Sequence, residues 1–295
     1  MKKDSHSLVF IFIIVFFLTN SVALLSGQEI GPKNGHLLIV GGGLRDQIIL
    51  ERFIDLAGGS DAPIVVIPTA GGRESYDQFW MGLRSLKEAG AKKLMVLHTN
   101  DPKIADTEKF IEPLKTARGV WFSGGRQWRL VDAYLNTKVH EALWHVLERG
   151  GIIGGSSAGA TIQGSYLARG DTKTNTIMMG DHEEGMGFLK NTAIDQHLLK
   201  RNRQFDLIEI IEAKPELLGI GIDEDTAILV SGDQFEVIGN SYVAIYDHGC
   251  TLDSGGRFYF MSPGDRFNLK TRVASRSRTI QRPLERIEKK EWKKK

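Results

Sequence analysis

The sequence predicts an α/β fold built on a mostly parallel central sheet with helices on both faces. Three observations predict it. Short β-branched runs end in glycine or proline, longer amphipathic stretches alternate with them, and the short runs are apolar enough to be buried on both sides. The runs are HLLIV (36–40), APIVVIP (62–68), KKLMVLHT (92–99) and ARGVWFSGG (117–125). Between them, segments 76–90, 106–117 and 137–150 repeat apolar residues at three- and four-residue spacing, which predicts helices lying on the sheet. Past Asp195 the rhythm loosens. GIGIDEDTAILV (219–230), QFEVIG (234–239) and YVAIYD (242–247) read as strands of an antiparallel edge or extension.

The chain has 295 residues, 41% of them hydrophobic and 25% charged, the balance of an ordinary globular protein. No repeat or linker divides it, so a single domain over 35–280 is expected, followed by a basic tail, 281–295. A formal net charge of +2 is too small to argue for a nucleic-acid partner. Lys2 and Lys3 precede an unbroken apolar run, Leu8–Leu18, of the length of a secretory leader rather than a membrane span. Ser21-Val22-Ala23 supplies small residues for cleavage. A signal peptide over 1–23 and a secreted or periplasmic protein follow, with membrane attachment only if the leader stays uncleaved. Cys250 is the sole cysteine, which excludes an intrachain disulfide.

Two glycine clusters bear on chemistry. Gly41-Gly42-Gly43 follows the first strand, but Asp46 stands where a dinucleotide fingerprint needs its third glycine, and no Gly-Lys-Ser/Thr marks a P-loop. Gly155-Ser156-Ser157-Ala158-Gly159 fits G-x-S-x-G in a strand-turn-helix setting, with Ser157 as nucleophile. A plain turn rich in small residues fits the pentapeptide equally well. Among eight histidines, His197 in DQHLLKRNR is the best candidate base, because Asp195, Gln196, Arg201 and Arg203 surround it with charge and hydrogen-bonding groups. For the arginines a solvated helix face remains the competing reading. His182, Glu183 and Glu184 are adjacent in a loop, which argues against a metal site, and no cofactor is expected.

GGSSAGA (154–160), DQHLLKRNR (195–203) and GIGIDEDTAI (219–228) together resemble the cyanophycinase branch of the S51 serine peptidases, and the likeness runs from VGGG to GDRFNLKTR. The resemblance implies a class I glutamine amidotransferase-like fold and a dimer. It implies Ser157 as nucleophile, His197 as base and Glu224 as the acid, with Asp171 and Asp223 as other available carboxylates. Backbone amides of Gly125 and Ala158 would form the oxyanion hole. Gln127, Asp195, Gln196, Arg201 and Arg203 would bind substrate. The implied activity is serine exopeptidase action on cyanophycin, a poly-aspartate bearing arginine on each β-carboxyl, or on related aspartyl and isoaspartyl peptides. The sequence departs from the branch in two places: GGSS stands for the commoner GTS, and Arg126 stands where aspartate is usual. An Asp-X dipeptidase and a non-catalytic amidotransferase-like binding protein are the alternatives. Serine-directed phosphonate labelling that is lost in Ser157→Ala discriminates the last from the others.

Overall fold

The computed structural model describes residues 29–249 and 255–277. The leader (1–23), Cys250 and the basic tail (281–295) lie outside them. Five strands form the parallel half of a nine-stranded sheet: β1 (His36–Val40), β2 (Pro63–Ile67), β3 (Lys93–Val96), β4 (Gly119–Phe122) and β5 (Ile152–Ser156). The later chain forms β6 (Gly164–Tyr166), β7 (Leu189–Gln196), β8 (Leu218–Ile222), β9 (Thr226–Ser231), β10 (Gln234–Gly239), β11 (Val243–Asp247), β12 (Tyr259–Met261), β13 (Arg266–Asn268) and β14 (Val273–Ser275). Strand order in the large sheet is β14-β13-β10-β9-β1-β5-β4-β2-β3, and β12-β11-β8-β7-β6 make a second sheet. The antiparallel extension of β1 is therefore as wide as its parallel side.

The two faces of the large sheet are covered differently. Leu38, Val40, Ile64, Val66 and Trp121 pack on the helix Gln47–Ala57. That helix begins where the Asp46 carboxylate accepts the Ile48 amide at 2.9 Å and ends at Gly58, whose φ of 110° suits a residue without Cβ. On the opposite face, Leu37, Ile39, Val65, Ile67, Val120 and Phe122 share one core with the helices Glu108–Thr116, Trp128–Tyr134 and Lys138–Glu148. Ile194, Ile220, Ile222 and Ile245 of the second sheet join that same core. Tyr246, Ala193 and Ala244, on the far side of the second sheet, pack against Leu207, Ile210 and Ile211 of a further helix, Leu207–Ala213.

Two expected elements differ. The helix expected over 76–90 shrinks to a turn at Met81–Leu83 and a short helix, Arg84–Glu88. Side chains upstream take over the backbone's hydrogen bonding. The Asp77 carboxylate accepts the Phe79 amide, and Gln78 both donates to the Val96 carbonyl and accepts its amide, acting as one more rung on β3. The run 219–230, expected as one strand, is cut at Asp223-Glu224-Asp225 into β8 and β9, which belong to different sheets. Asp223 accepts the Leu199 and Lys200 amides, and Asp225 accepts those of Arg45 and Asp46. These carboxylates bind backbone from two different loops, which a continuing strand would not allow.

Registers converge on one end of the parallel sheet. Val40 pairs with Ser156 in the large sheet and Gln196 with Ile222 in the second, and the Gly41 carbonyl accepting the His197 amide brings the ends of the two strand pairs together. Among the described residues, no helix is long and apolar enough to cross a membrane.

Candidate active site

Ser157 follows β5 and precedes the helix Ala158–Thr161 with φ 58° and ψ −113°, a backbone conformation that costs on the order of 1–3 kcal/mol. Hydrogen bonds hold it there. Its amide donates to the Val40 carbonyl at 3.0 Å, and its own carbonyl accepts the amides of Ala160 and Thr161. The flanking glycines are sterically required: a Cβ on Gly155 would lie 2.3 Å from the Gly159 carbonyl oxygen, and one on Gly159 would lie 2.3 Å from that of Phe122. The turn thus aims a hydroxyl outward at the carboxyl end of the sheet.

Ser157 Oγ lies 2.9 Å from His197 Nε2, and His197 Nδ1 lies 2.7 Å from Glu224 Oε1. An ionised carboxylate only accepts, so Nδ1 carries the proton and Nε2 keeps its lone pair toward the serine hydroxyl. Burial holds the His197 pKa below the ordinary histidine value, and the charges of Arg201 and Arg203 add to that, against the opposing pull of Glu224. The imidazole is therefore neutral and basic at neutral pH. An activity that uses it as base must fall on acidification, so kcat/KM is expected to drop through a midpoint below about 6.5 and to stay level above it. Steady-state rates from pH 4.5 to 8.5 test this. A midpoint above 7 would contradict a buried neutral base.

Asp223 and Asp171 do not meet the imidazole through any hydrogen bond. Asp223 serves Leu199, Lys200 and the Ser241 hydroxyl, and Asp171 serves the amides of Lys173 and Thr174.

The Gly41-Gly42-Gly43 turn, which carries no nucleotide motif, proves to be the hub of this arrangement. The Gly41 carbonyl accepts the His197 amide at 2.8 Å, and the Gly42 carbonyl accepts the Asp225 amide at 2.9 Å. A Cβ on Gly42 would sit 2.2 Å from His197 Cε1, and one on Gly43 would sit 2.4 Å from Glu224 Oε2. Bare backbone lets the imidazole and the carboxylate meet. Gly42 also has φ 120°, so Gly42→Ala is expected to displace the ring and lower kcat by about 10²-fold or more. Kinetics read alongside a thermal melt check this, since the strained alanine also costs on the order of 1–3 kcal/mol of stability.

Gly124 lies directly against Ser157. A Cβ on Gly124 would be 3.3 Å from Ser157 Cβ, and Gly125 is packed on the Ala70 carbonyl. Among the described residues, the amides of Gly125 and Ala158 donate to no protein acceptor. Both remain available to an oxyanion.

The five expected substrate contacts separate into distinct environments. Asp195 is wholly buried, and both of its oxygens accept from Arg169, at 2.9 and 3.2 Å. Gln127 is buried with its Nε2 donating to the carbonyls of Ala168 and Arg169 at 2.8 Å. Gln196 is buried and receives Arg203 Nη1 on both its carbonyl and its Oε1, at 3.1 and 3.0 Å. On β7 both Asp195 oxygens are thus engaged by Arg169. Arg203 is buried with one nitrogen committed to Gln196, whereas Arg201 is exposed and, among the described residues, forms no ion pair.

Arg169 is the member that sequence reasoning missed. It is buried, sits at φ 56°, pairs with Asp195 and Asp206, and offers its carbonyl to Gln127, two residues beyond Gly125. It therefore ties the Gly124–Gly125 turn to the strand that leads into His197. In the linear chain nothing separates it from any other arginine beside a turn glycine. Among the described residues, no group of three His, Cys, Asp or Glu side chains could hold a metal ion.

Residues 37–238 match Peptidase family S51. The chain is 32% identical over 259 residues to the cyanophycinase of Geminocystis herdmanii, covering 79% of this chain and 94% of that protein. It is also 32% identical over 271 residues to the cyanophycinase of Synechococcus elongatus, covering 83% of this chain and 82% of that one. A crystal structure of a peptidase from an acI-B1 Actinobacterium superposes with a TM-score of 0.63 at 26% identity, over 81% of this chain and 98% of that one. A putative peptidase E protein from Listeria monocytogenes shares the fold, at 18% identity and a TM-score of 0.51. Match and architecture agree: the chain belongs to peptidase family S51, as a cyanophycinase-like hydrolase with the class I glutamine amidotransferase-like fold.

Proposed function

We propose that this protein is an exported serine exopeptidase that hydrolyses aspartyl or isoaspartyl peptides, cyanophycin among them, through an acyl-enzyme. The observation that carries the reading is the unbroken chain of hydrogen bonds from Ser157 Oγ through His197 to Glu224. Ser157 Oγ adds to the scissile carbonyl carbon as its proton passes to His197 Nε2, and Glu224 holds the resulting imidazolium. Collapse of the tetrahedral adduct breaks the C–N bond, and the same proton leaves with the amine. Water then repeats both transfers to free the acid and restore the serine. The amides of Gly125 and Ala158 would hold the oxyanion, each donor contributing about 3–4 kcal/mol to the transition state in comparable sites.

The relatives named cyanophycinase support the substrate class, and the cations beside His197 supply the charge that an aspartyl carboxylate needs. The apolar leader following Lys2 and Lys3 is the basis for export. Mass spectrometry of the products from cyanophycin and from a panel of α- and β-linked Asp-X peptides tests the activity. Release of aspartyl products is expected, and none from any member would overturn the reading.

The arginines make a sharper test. Arg201→Lys and Arg203→Lys keep the charge and lose the fork, so each is expected to weaken use of aspartyl substrates about tenfold or more. Both should leave an ester without a free carboxylate nearly unaffected. Equal losses on both substrates would mean that the arginines do not read the carboxylate.

A further inference from the structure

A cleft of about 200 Å³ opens beside Gly124 and Ser156, next to the turn that holds Ser157. Leu44, Leu50, Trp80 and Trp121 line it together with Ser123 and Gly124, and none of its lining residues is charged. It reaches the residues that flank Ser157. Ser156 also lines it, and any atom placed where a Cβ on Gly124 would stand comes within 3.8 Å of Ser157 Oγ. No residue of 195–203 borders it, so it is distinct from the arginine side of the site.

The cleft is held in shape. Trp80 meets Tyr76 edge to face at 5.1 Å, and its ring lies over Gly82, where a Cβ would come within 2.2 Å of it. Gln78 anchors the same loop to β3 through two backbone hydrogen bonds. Trp121 is braced from below by Phe53, with ring centroids 5.1 Å apart. The volume falls under the roughly 300–1,000 Å³ that takes a whole drug-sized ligand, so the cleft suits a single side chain.

We infer that this cleft is a specificity subsite for an apolar side chain, carried by the substrate residue on the other side of the scissile bond from the aspartyl group. The inference rests on the reading of the site as an aspartyl peptidase. An uncharged wall carrying two tryptophans and three leucines rewards burial of a leucine- or phenylalanine-like side chain. A guanidinium there would lose water and find no carboxylate in return. Among aspartyl peptides, those with an apolar neighbour are therefore used in preference to those bearing arginine.

The test is a kcat/KM series on Asp-Leu, Asp-Phe, Asp-Ala and Asp-Arg, in α- and β-linked forms, with the full mature protein. Asp-Leu or Asp-Phe is expected to exceed Asp-Arg by tenfold or more. Trp80→Ala should erase most of the gain of Asp-Phe over Asp-Ala while leaving Asp-Ala hydrolysis near the parent value. Trp80→Glu places a carboxylate in the wall and should move the preference toward Asp-Arg. Hydrolysis with Asp-Arg equal to or better than Asp-Leu overturns the subsite alone. Turnover of no aspartyl peptide overturns the underlying reading, and the subsite with it.

Discussion

Ser157→Ala is expected to lower kcat/KM by about four to six orders of magnitude with the fold and melting temperature nearly unchanged. Alanine removes only Oγ, and the hydrogen bonds that hold the strained turn, to Val40, Ala160 and Thr161, all run through backbone. His197→Ala should produce a loss of similar size, because a serine hydroxyl without its proton acceptor is a weak nucleophile. The double variant should be no worse than either single one, since the two groups act as a unit. Active-site titration with a serine-directed phosphonate gives an independent readout: the parent protein labels at one residue and Ser157→Ala does not. Labelling at another serine, or activity retained in both single variants, would show that the hydrolytic centre lies elsewhere.

The second large effect is expected at Glu224. Glu224→Gln keeps size and hydrogen-bonding capacity but removes the charge facing His197 Nδ1, and the amide can present its NH₂ to that nitrogen. This favours the tautomer with its proton on Nε2, where it cannot accept from Ser157. A fall in kcat of about 10⁴-fold with little change in KM is expected, as for a carboxylate that orients and stabilises an imidazolium formed only in the transition state. Glu224 also opposes the burial that depresses the His197 pKa, so whatever activity remains should have its acid limb at still lower pH. Asp223→Asn serves as the comparison. Asp223 is committed to the 199–200 backbone and to Ser241, so its loss should lower stability and reach the chemistry only through the position of His197. A larger kinetic effect at Asp223 than at Glu224 would falsify the assignment of the acid.

What could be read directly from the chain was whatever depends on near neighbours. Alternation of β-branched strands with amphipathic segments is a local property, and β1, β2, β4 and β5 lie where their apolar runs lie. Ser157 is legible because the glycines it requires are two residues away on either side, within a single pentapeptide. Glu224 is less so. It occupies a turn between two strands of different sheets, inside a run that reads as one continuous strand.

The remainder was decided by contacts between parts of the chain far apart in sequence. Gly42 takes its meaning from His197 and Gly43 from Glu224, each more than 150 positions away, and no motif local to VGGG encodes either ring or carboxylate. Arg169 becomes a buried cross-brace only because β7 and the loop before the helix Leu207–Ala213 both bring it carboxylates. The apolar cleft likewise exists only where Trp80, Trp121, Leu50 and Gly124 are folded onto one another. Hydrophobic periodicity records which face of an element turns inward, a matter of a few residues. Which side chain stands opposite which is set by sheet register and the packing of the two sheets, and those follow from the energy of the whole core.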